Sequence, residues 1–418
     1  MAAAGFVGTF IEYYDFALYG LLTVYFSQQF FPADSPSTSF LISLAVFGAG
    51  FVARPIGGIL FGLLGDRRGR RTALVASLVL MGASSGLIGL LPTTASIGVW
   101  ATVLLVALRL LQGVSAGSEL PGSITFIMES TPAEKRTFLM SMTPFGSSLG
   151  VATATAMAWV LGATADKAWM MSTGWRIPFL VSIPLTLVAL WIRTRVPDSP
   201  EFQKLVAERK VAEAPLAELF RRHWRIILVA SFVAIGVNGS PALIAYFSTF
   251  LVGGRQIAAS TVFGALTIAS LVGTLGIPIV GRLATRHGRA RVARYCLLLV
   301  AVATVPIFLI LASATSFGAI VVAMSLYTLV AFSLMPAVFP LVASTYPTEV
   351  RYTGNNLSQT IGTILGAGLA PFAVAQLSLG AGFVAGPIIW MGLMVVIGYV
   401  GLALLMRVRR QRRLDPAA

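Results

Sequence analysis

Charge is scarce in this chain of 418 residues: 11% are Asp, Glu, Lys or Arg, against about 25% in a typical soluble globular domain. The single cysteine, Cys296, leaves no intramolecular disulfide and no thiolate metal cluster; it reads as a small packed hydrophobe. The two histidines, His223 and His287, fall near connecting segments and cannot form a two-His metal site within a membrane. None of Lys135, Lys167, Lys204 and Lys210 follows a Gly or precedes a Ser or Thr, so the chain has no phosphate-binding loop. That removes an ATP-driven pump or kinase. No nucleophile stands at a workable spacing from a base, so no enzyme, metal or organic cofactor is expected.

What fills the chain is apolar: 57% of residues are hydrophobic and the mean hydropathy is +0.86. Runs of about 20 residues recur to the end, each long enough to cross a bilayer core of about 30 Å as a helix. They are continuous rather than alternating, which disfavours a β-barrel. The expectation is an all-α polytopic membrane protein with twelve spans, near residues 5–27, 39–63, 72–92, 99–127, 138–163, 176–192, 226–252, 259–281, 295–312, 317–345, 353–377 and 384–406. The net charge of +15 would suggest nucleic acid in a soluble protein. Here all 30 Lys and Arg except Lys167, Arg176, Arg255, Arg54 and Arg109 fall on one side if both termini are cytoplasmic. That is the positive-inside pattern, and nucleic acid drops out as a partner in favour of the lipid bilayer. The segment before the first span has no basic residue and no signal-peptide character, so that span is expected to be retained.

Six spans lie on each side of a charged stretch, giving an N-terminal bundle over 1–192, a cytoplasmic linker over 193–225 and a C-terminal bundle with a basic tail over 226–418. Leu205, Val206, Leu216, Leu219 and Phe220, among charges that include Lys204, Glu213 and Glu218, predict short amphipathic helices in the linker. Gly62–Arg71 matches Gly281–Arg291 with Gly69 and Gly288 in register, as duplication of a six-helix unit predicts. The halves differ in charge, because no acid occurs between Glu218 and Glu349. The embedded acids Glu12, Asp15 and Glu119 and the embedded cations Arg54 and Arg109 all belong to the first half. At 1.5 Å of rise per residue, Asp15, Arg54 and Arg109 fall near one mid-membrane depth. Charge there faces a partner or a water-filled path, so an Asp15–Arg109 pair is expected, serving a substrate cavity or simply tying two helices. Glu12, one turn from Asp15, and Glu119 lead away from it as a proton route or as packing bonds.

Several blocks carry a family likeness: Glu12-Tyr13-Tyr14-Asp15-Phe16, Arg54-Pro55-Ile56-Gly57-Gly58, Gly65-Asp66-Arg67-Arg68-Gly69-Arg70, Arg109-Leu110-Leu111-Gln112-Gly113 and Val350-Arg351-Tyr352-Thr353-Gly354. In these the chain resembles the major facilitator superfamily and, within it, the metabolite:proton symporter family, over nearly its whole length. The resemblance implies the major facilitator fold and a monomer in the bacterial cytoplasmic membrane. It also implies proton-coupled symport of a small organic acid or zwitterion by alternating access. Substrates in the family include dicarboxylates, tricarboxylates, shikimate, proline and betaine. Proton-driven export or facilitated uniport would share this architecture.

Asp15, Glu12 and Glu119 would carry the proton, the coupling ion; Arg54 and Arg109 would face a carboxylate, which guanidinium captures bidentately. Tyr19 and Gln112 in the same blocks, Asn238 and Tyr246 around Pro241, and Asn356 and Gln359 on the eleventh span complete the expected lining. Asp66, Arg70 and Glu129 would latch the cytoplasmic side, with a weaker second copy where Thr285 replaces the acid. Asn355–Thr360 departs from the family's usual Tyr-Asn pair, through an unusual substrate or tolerated variation.

Overall fold

A computed structural model describes residues 2–211, 215–382 and 384–414, and every regular element among them is helical. Among the described residues, eleven helical segments are long and apolar enough to cross a membrane. The remaining expected span is α1 (Ala2–Phe30), a helix of 29 residues carrying Glu12 and Asp15; its length is about 44 Å.

The first half continues with α2 (Pro36–Arg68), α3 (Arg70–Leu90), α4 (Val99–Ala116), α5 (Glu119–Glu129), α6 (Ala133–Met140), α7 (Met142–Thr164) and α8 (Arg176–Thr194). Local chemistry sets several ends. Ser35 caps α2, its hydroxyl accepting from the Thr38 amide at 3.2 Å, and Pro36 opens the first turn, where a missing N–H costs nothing. Gly69 ends α2 and starts α3 at φ +107°, and its repeat partner Gly288 does the same at φ +89°. This is a conformation that L side chains avoid, so the duplicated loop has one backbone shape in both copies.

The fourth expected span is broken at Gly117–Ser118, and the fifth divides at Ser141. The sixth helix runs through Thr194, so Arg193 belongs to it rather than to the linker where the sequence reading placed it. In the linker, α9 (Pro200–Ala207) and α10 (Pro215–Arg222) form as expected. They bury Leu205 and Leu219 and leave Val206 and Phe220 exposed; Glu213 lies outside the described residues.

The second half comprises α11 (Trp224–Ser248), α12 (Ala259–His287), α13 (Arg289–Ser313), α14 (Phe317–Phe332), α15 (Met335–Ala343), α16 (Arg351–Gly362), α17 (Ala370–Ala381) and α18 (Ala385–Leu414). Pro241 does not interrupt α11. The carbonyls beside it are taken up locally: Tyr327 donates to the Ser240 oxygen at 2.7 Å and the Trp390 indole to the Gly239 oxygen at 3.3 Å.

Two seams join the halves: α2 and α5 against α16, and α6 and α7 against α12. Gly58 and Gly62, one turn apart on α2, make the first seam close. A Cβ at Gly62 would sit 3.0 Å from the Thr353 Cα, and one at Gly58 2.8 Å from the Thr360 hydroxyl.

Candidate functional site

Along α1, residues 4, 8, 12, 15 and 19 recur at helical spacing, and each meets a polar group of the first half. The Arg193 guanidinium donates to the Ala4 carbonyl at 3.1 and 3.2 Å, and crosses α1 where Gly8 leaves room. There it makes a two-pronged ion pair with Glu119, Nη1 to Oε2 at 2.8 Å and Nη2 to Oε1. Ser77 and Ser123 donate to the same carboxylate at 3.0 and 3.2 Å. Glu119 is therefore a saturated acceptor with a partner the sequence reading missed, because Arg193 stood at the boundary of a basic loop.

One turn further, Glu12 faces Arg54 at 4.0 Å, both buried. Neither Glu12 oxygen accepts a hydrogen bond, and Arg54 Nε donates none. The Arg54 guanidinium lies over the rings of Phe16 and Phe51, at 4.7 and 4.8 Å. Glu12, Tyr13 and Arg54 line one wall of a cleft between the halves; Asn238, Gln359, Thr360 and Thr363 line the facing wall, and the Gly117–Pro121 break in the fourth span forms a third side. Asn238 donates to Gln359 Oε1 at 3.3 Å, leaving Gln359 Nε2 without a partner.

Asp15, Arg109, Tyr19 and Gln112 form a second cluster, within the first half. The expected direct Asp15–Arg109 pair is not formed. Asp15 accepts from Ser182 on α8, and its other oxygen is unpartnered. Arg109 donates to Gln112 at 2.8 Å, and Gln112 in turn donates to Ser85 at 2.7 Å, beside Asp15. Three aromatic faces enclose the Arg109 guanidinium, those of Phe16, Tyr19 and Phe47 at 4.1 to 4.8 Å, which cation–π attraction favours. Phe16 thus lies between the two arginines. The sequence could have pointed to it only as an aromatic next to Asp15.

Tyr19, Gln112 and Arg109, expected in the substrate lining, therefore lie outside the cleft lining, and two further expected lining residues lie elsewhere. Tyr246 bonds Ser378 at 2.8 Å on α17, outside the cleft lining. Asn356 is wholly buried on α16 with both amide atoms unpartnered, also outside that lining.

At the linker end, Asp66, Arg70 and Glu129 come together. Arg70 pairs with Glu129 at 2.9 Å and Asp66 at 3.2 Å, and donates to the Thr348 carbonyl of the second half at 2.8 Å. Asp66 reaches across the seam, accepting from the Thr353 amide and hydroxyl at 2.9 and 2.7 Å and from the Tyr352 amide. Arg351 joins Glu129 at 3.1 Å. Asp198, in the linker, accepts from the Arg70 and Arg71 amides and so caps α3; burial pushes its carboxyl up from the ordinary value, and those amides and Arg70 oppose the shift. In the second copy Thr285 bonds its own helix at Gly281, and Arg289 donates to Thr137 at 2.8 Å across the seam and to the Pro340 carbonyl at 3.3 Å within its own half.

The Major Facilitator Superfamily model matches residues 5–371. The chain is 36% identical to the ectoine/proline transporter ProP of Corynebacterium glutamicum, covering 87% of this chain and 75% of that one. It is 33% identical to the inner membrane metabolite transport protein YhjE of Escherichia coli, over 91% and 88%, and 32% identical to the shikimate transporter of the same organism, over 90% and 87%. Among solved structures, the proton:xylose symporter XylE bound to 6-bromo-6-deoxy-D-glucose superposes with a TM-score of 0.79 at 17% identity, covering 97% of this chain and 94% of that one. The chain belongs to the major facilitator superfamily, among its metabolite transporters, and is a multi-pass membrane transporter rather than an enzyme.

Proposed function

We propose that this transporter couples inward movement of a small carboxylate-bearing or zwitterionic metabolite to proton entry, with residues 1–192 (extended through Thr194) and 226–418 rocking about the cleft. The observation that carries this reading is the buried Glu12–Arg54 contact in the cleft wall. A carboxylate with neither oxygen hydrogen-bonded, held 4.0 Å from a guanidinium with an idle Nε, is a costly arrangement unless a proton or a ligand completes it. A substrate carboxylate can take Arg54 Nε and the idle Gln359 Nε2 from opposite walls, drawing the halves together as it binds. Glu12 and Asp15 then hold the proton, while Glu119, clamped by Arg193, serves as a fixed charge. Arg109 acts from behind Phe16 and sets the field at Asp15. Asp66, Arg70 and Glu129 latch the linker side, with both termini cytoplasmic and the monomer as the working unit in the bacterial inner membrane. The relatives' names, which include proline, ectoine and shikimate, favour this substrate class.

The test is uptake into proteoliposomes under an imposed inward proton gradient, with labelled dicarboxylates, tricarboxylates, shikimate, proline and betaine. Accumulation that collapses on adding a protonophore supports symport and identifies the substrate. Accumulation only with the gradient reversed would replace symport by export, and equilibration without accumulation would replace it by uniport.

A further inference from the structure

We propose that a lipid-facing groove on the second half binds one anionic phospholipid, with an acyl chain along α12 and α13 and its phosphate at Arg291 and His287. The groove has a volume of about 490 Å³. Its walls are carbon: Ile279 and Leu283 on α12, Tyr295 and Leu299 on α13, Leu329 on α14. Ile279, Tyr295 and Leu299 are at least half exposed, so the groove opens outward. The titratable cationic groups of the lining, His287 and Arg291, stand at one end, where His287 closes α12 and Arg291 is in the first turn of α13.

Length and charge both fit a phospholipid. From Gly276 to His287 the helix rises about 16 Å, close to half of a hydrocarbon core of about 30 Å, which is one leaflet's acyl chain. Arg291 is exposed, with no protein acceptor among the described residues, and Arg286 and Arg294 flank it. No acidic residue occurs between Glu218 and Glu349, so nothing on these helices repels a phosphate. A free phosphate would leave the apolar walls unused.

The repeat explains why the groove is apolar. Cys296, in its lining, stands at the register position of Ser77, which donates to Glu119 in the first half. The register partner of Glu119 is Val338. The pair that anchors charge in one half is thiol and isopropyl in the other. This inference is independent of the substrate and of proton coupling.

The full chain, reconstituted in nanodiscs of equal phosphatidylglycerol and phosphatidylcholine and released for native mass spectrometry, should retain phosphatidylglycerol preferentially, one per chain. Replacing Arg291→Ala should lower that preference about fivefold, and adding His287→Ala should lower it further. Arg195→Ala, an exposed arginine stacked on Trp191 outside the groove, should leave it unchanged. Reaction of Cys296, the sole thiol, with a membrane-permeant maleimide should slow as the phosphatidylglycerol fraction rises. No headgroup preference, an equal loss in Arg195→Ala, or a labelling rate indifferent to phosphatidylglycerol would each overturn the proposal.

Discussion

Glu12, Asp15 and Glu119 share the interior of one half, yet their partners separate them. Glu119 receives two guanidinium nitrogens and two hydroxyls, so its charge is compensated where it stands. Removing one member of a buried pair strands the other and costs about 3–5 kcal/mol. Arg193→Ala should therefore lower the melting temperature of the detergent-solubilised protein markedly, and Glu119→Gln combined with Arg193→Gln should recover part of the loss. If Arg193→Ala melts like the parent, the pair is not structural. Glu12 and Asp15 keep unpartnered oxygens. Glu12→Gln and Asp15→Asn should each abolish gradient-driven accumulation while retaining counterflow exchange of substrate. At this scale the sequence was legible where charge was rare, since every embedded acid stood out against apolar neighbours. It was illegible for partners, because the helix-end position of Arg193 resembles that of a loop arginine and the aromatic box around Arg109 is assembled from two helices.

Among the elements, α2 packs on α16 at one of the two seams between the halves, and Asp66 holds it by accepting from two backbone amides and a hydroxyl. Hydrogen bonds to a buried charge are worth about 1.5–3 kcal/mol. Asp66→Ala should thus move the population of linker-side-open molecules by about tenfold or more. Spin labels at Arg68→Cys and Arg286→Cys, in a Cys296→Ser background, would report this as a longer distance component. An unchanged distance distribution would show that the seam is held without Asp66. A smaller effect is expected for Asp198→Ala, which removes the cap on α3 and should cost about 1 kcal/mol; the check is a modest fall in melting temperature. The spans themselves were legible from run length and hydropathy, and the amphipathic linker helices from their spacing. The break at Gly117–Ser118 had one local signal, Pro121, whose missing N–H leaves the Gly117 carbonyl to accept from Thr360 at 3.2 Å; the close approach of the Arg54 carbonyl to Gly117 had none. Local propensity carries no record of such a contact.

In the whole molecule, chemistry and shape divide between the halves. The first lines the cleft with Glu12 and Arg54 and holds Asp15 and Arg109 within its own bundle; the second faces the cleft with Asn238, Gln359 and neutral hydroxyls. The duplicated loop repeats its backbone shape at Gly69 and Gly288 but not its charges, since Thr285 turns back to its own helix. The two-half plan and this asymmetry were both readable in the chain, the first from register and the second from the missing acids. Which residues share a cavity was not readable, as the displacement of Tyr246 to Ser378 illustrates. The most direct measurement is of proton movement itself. Proteoliposomes without an imposed gradient, with a pH-sensitive dye inside, would receive a transported substrate from outside. The lumen should acidify on addition for the parent protein, and should not for Glu12→Gln or Asp15→Asn in protein that still performs counterflow. Substrate entry with an unchanged proton signal in both variants would contradict the assignment of the coupling proton to these two carboxylates.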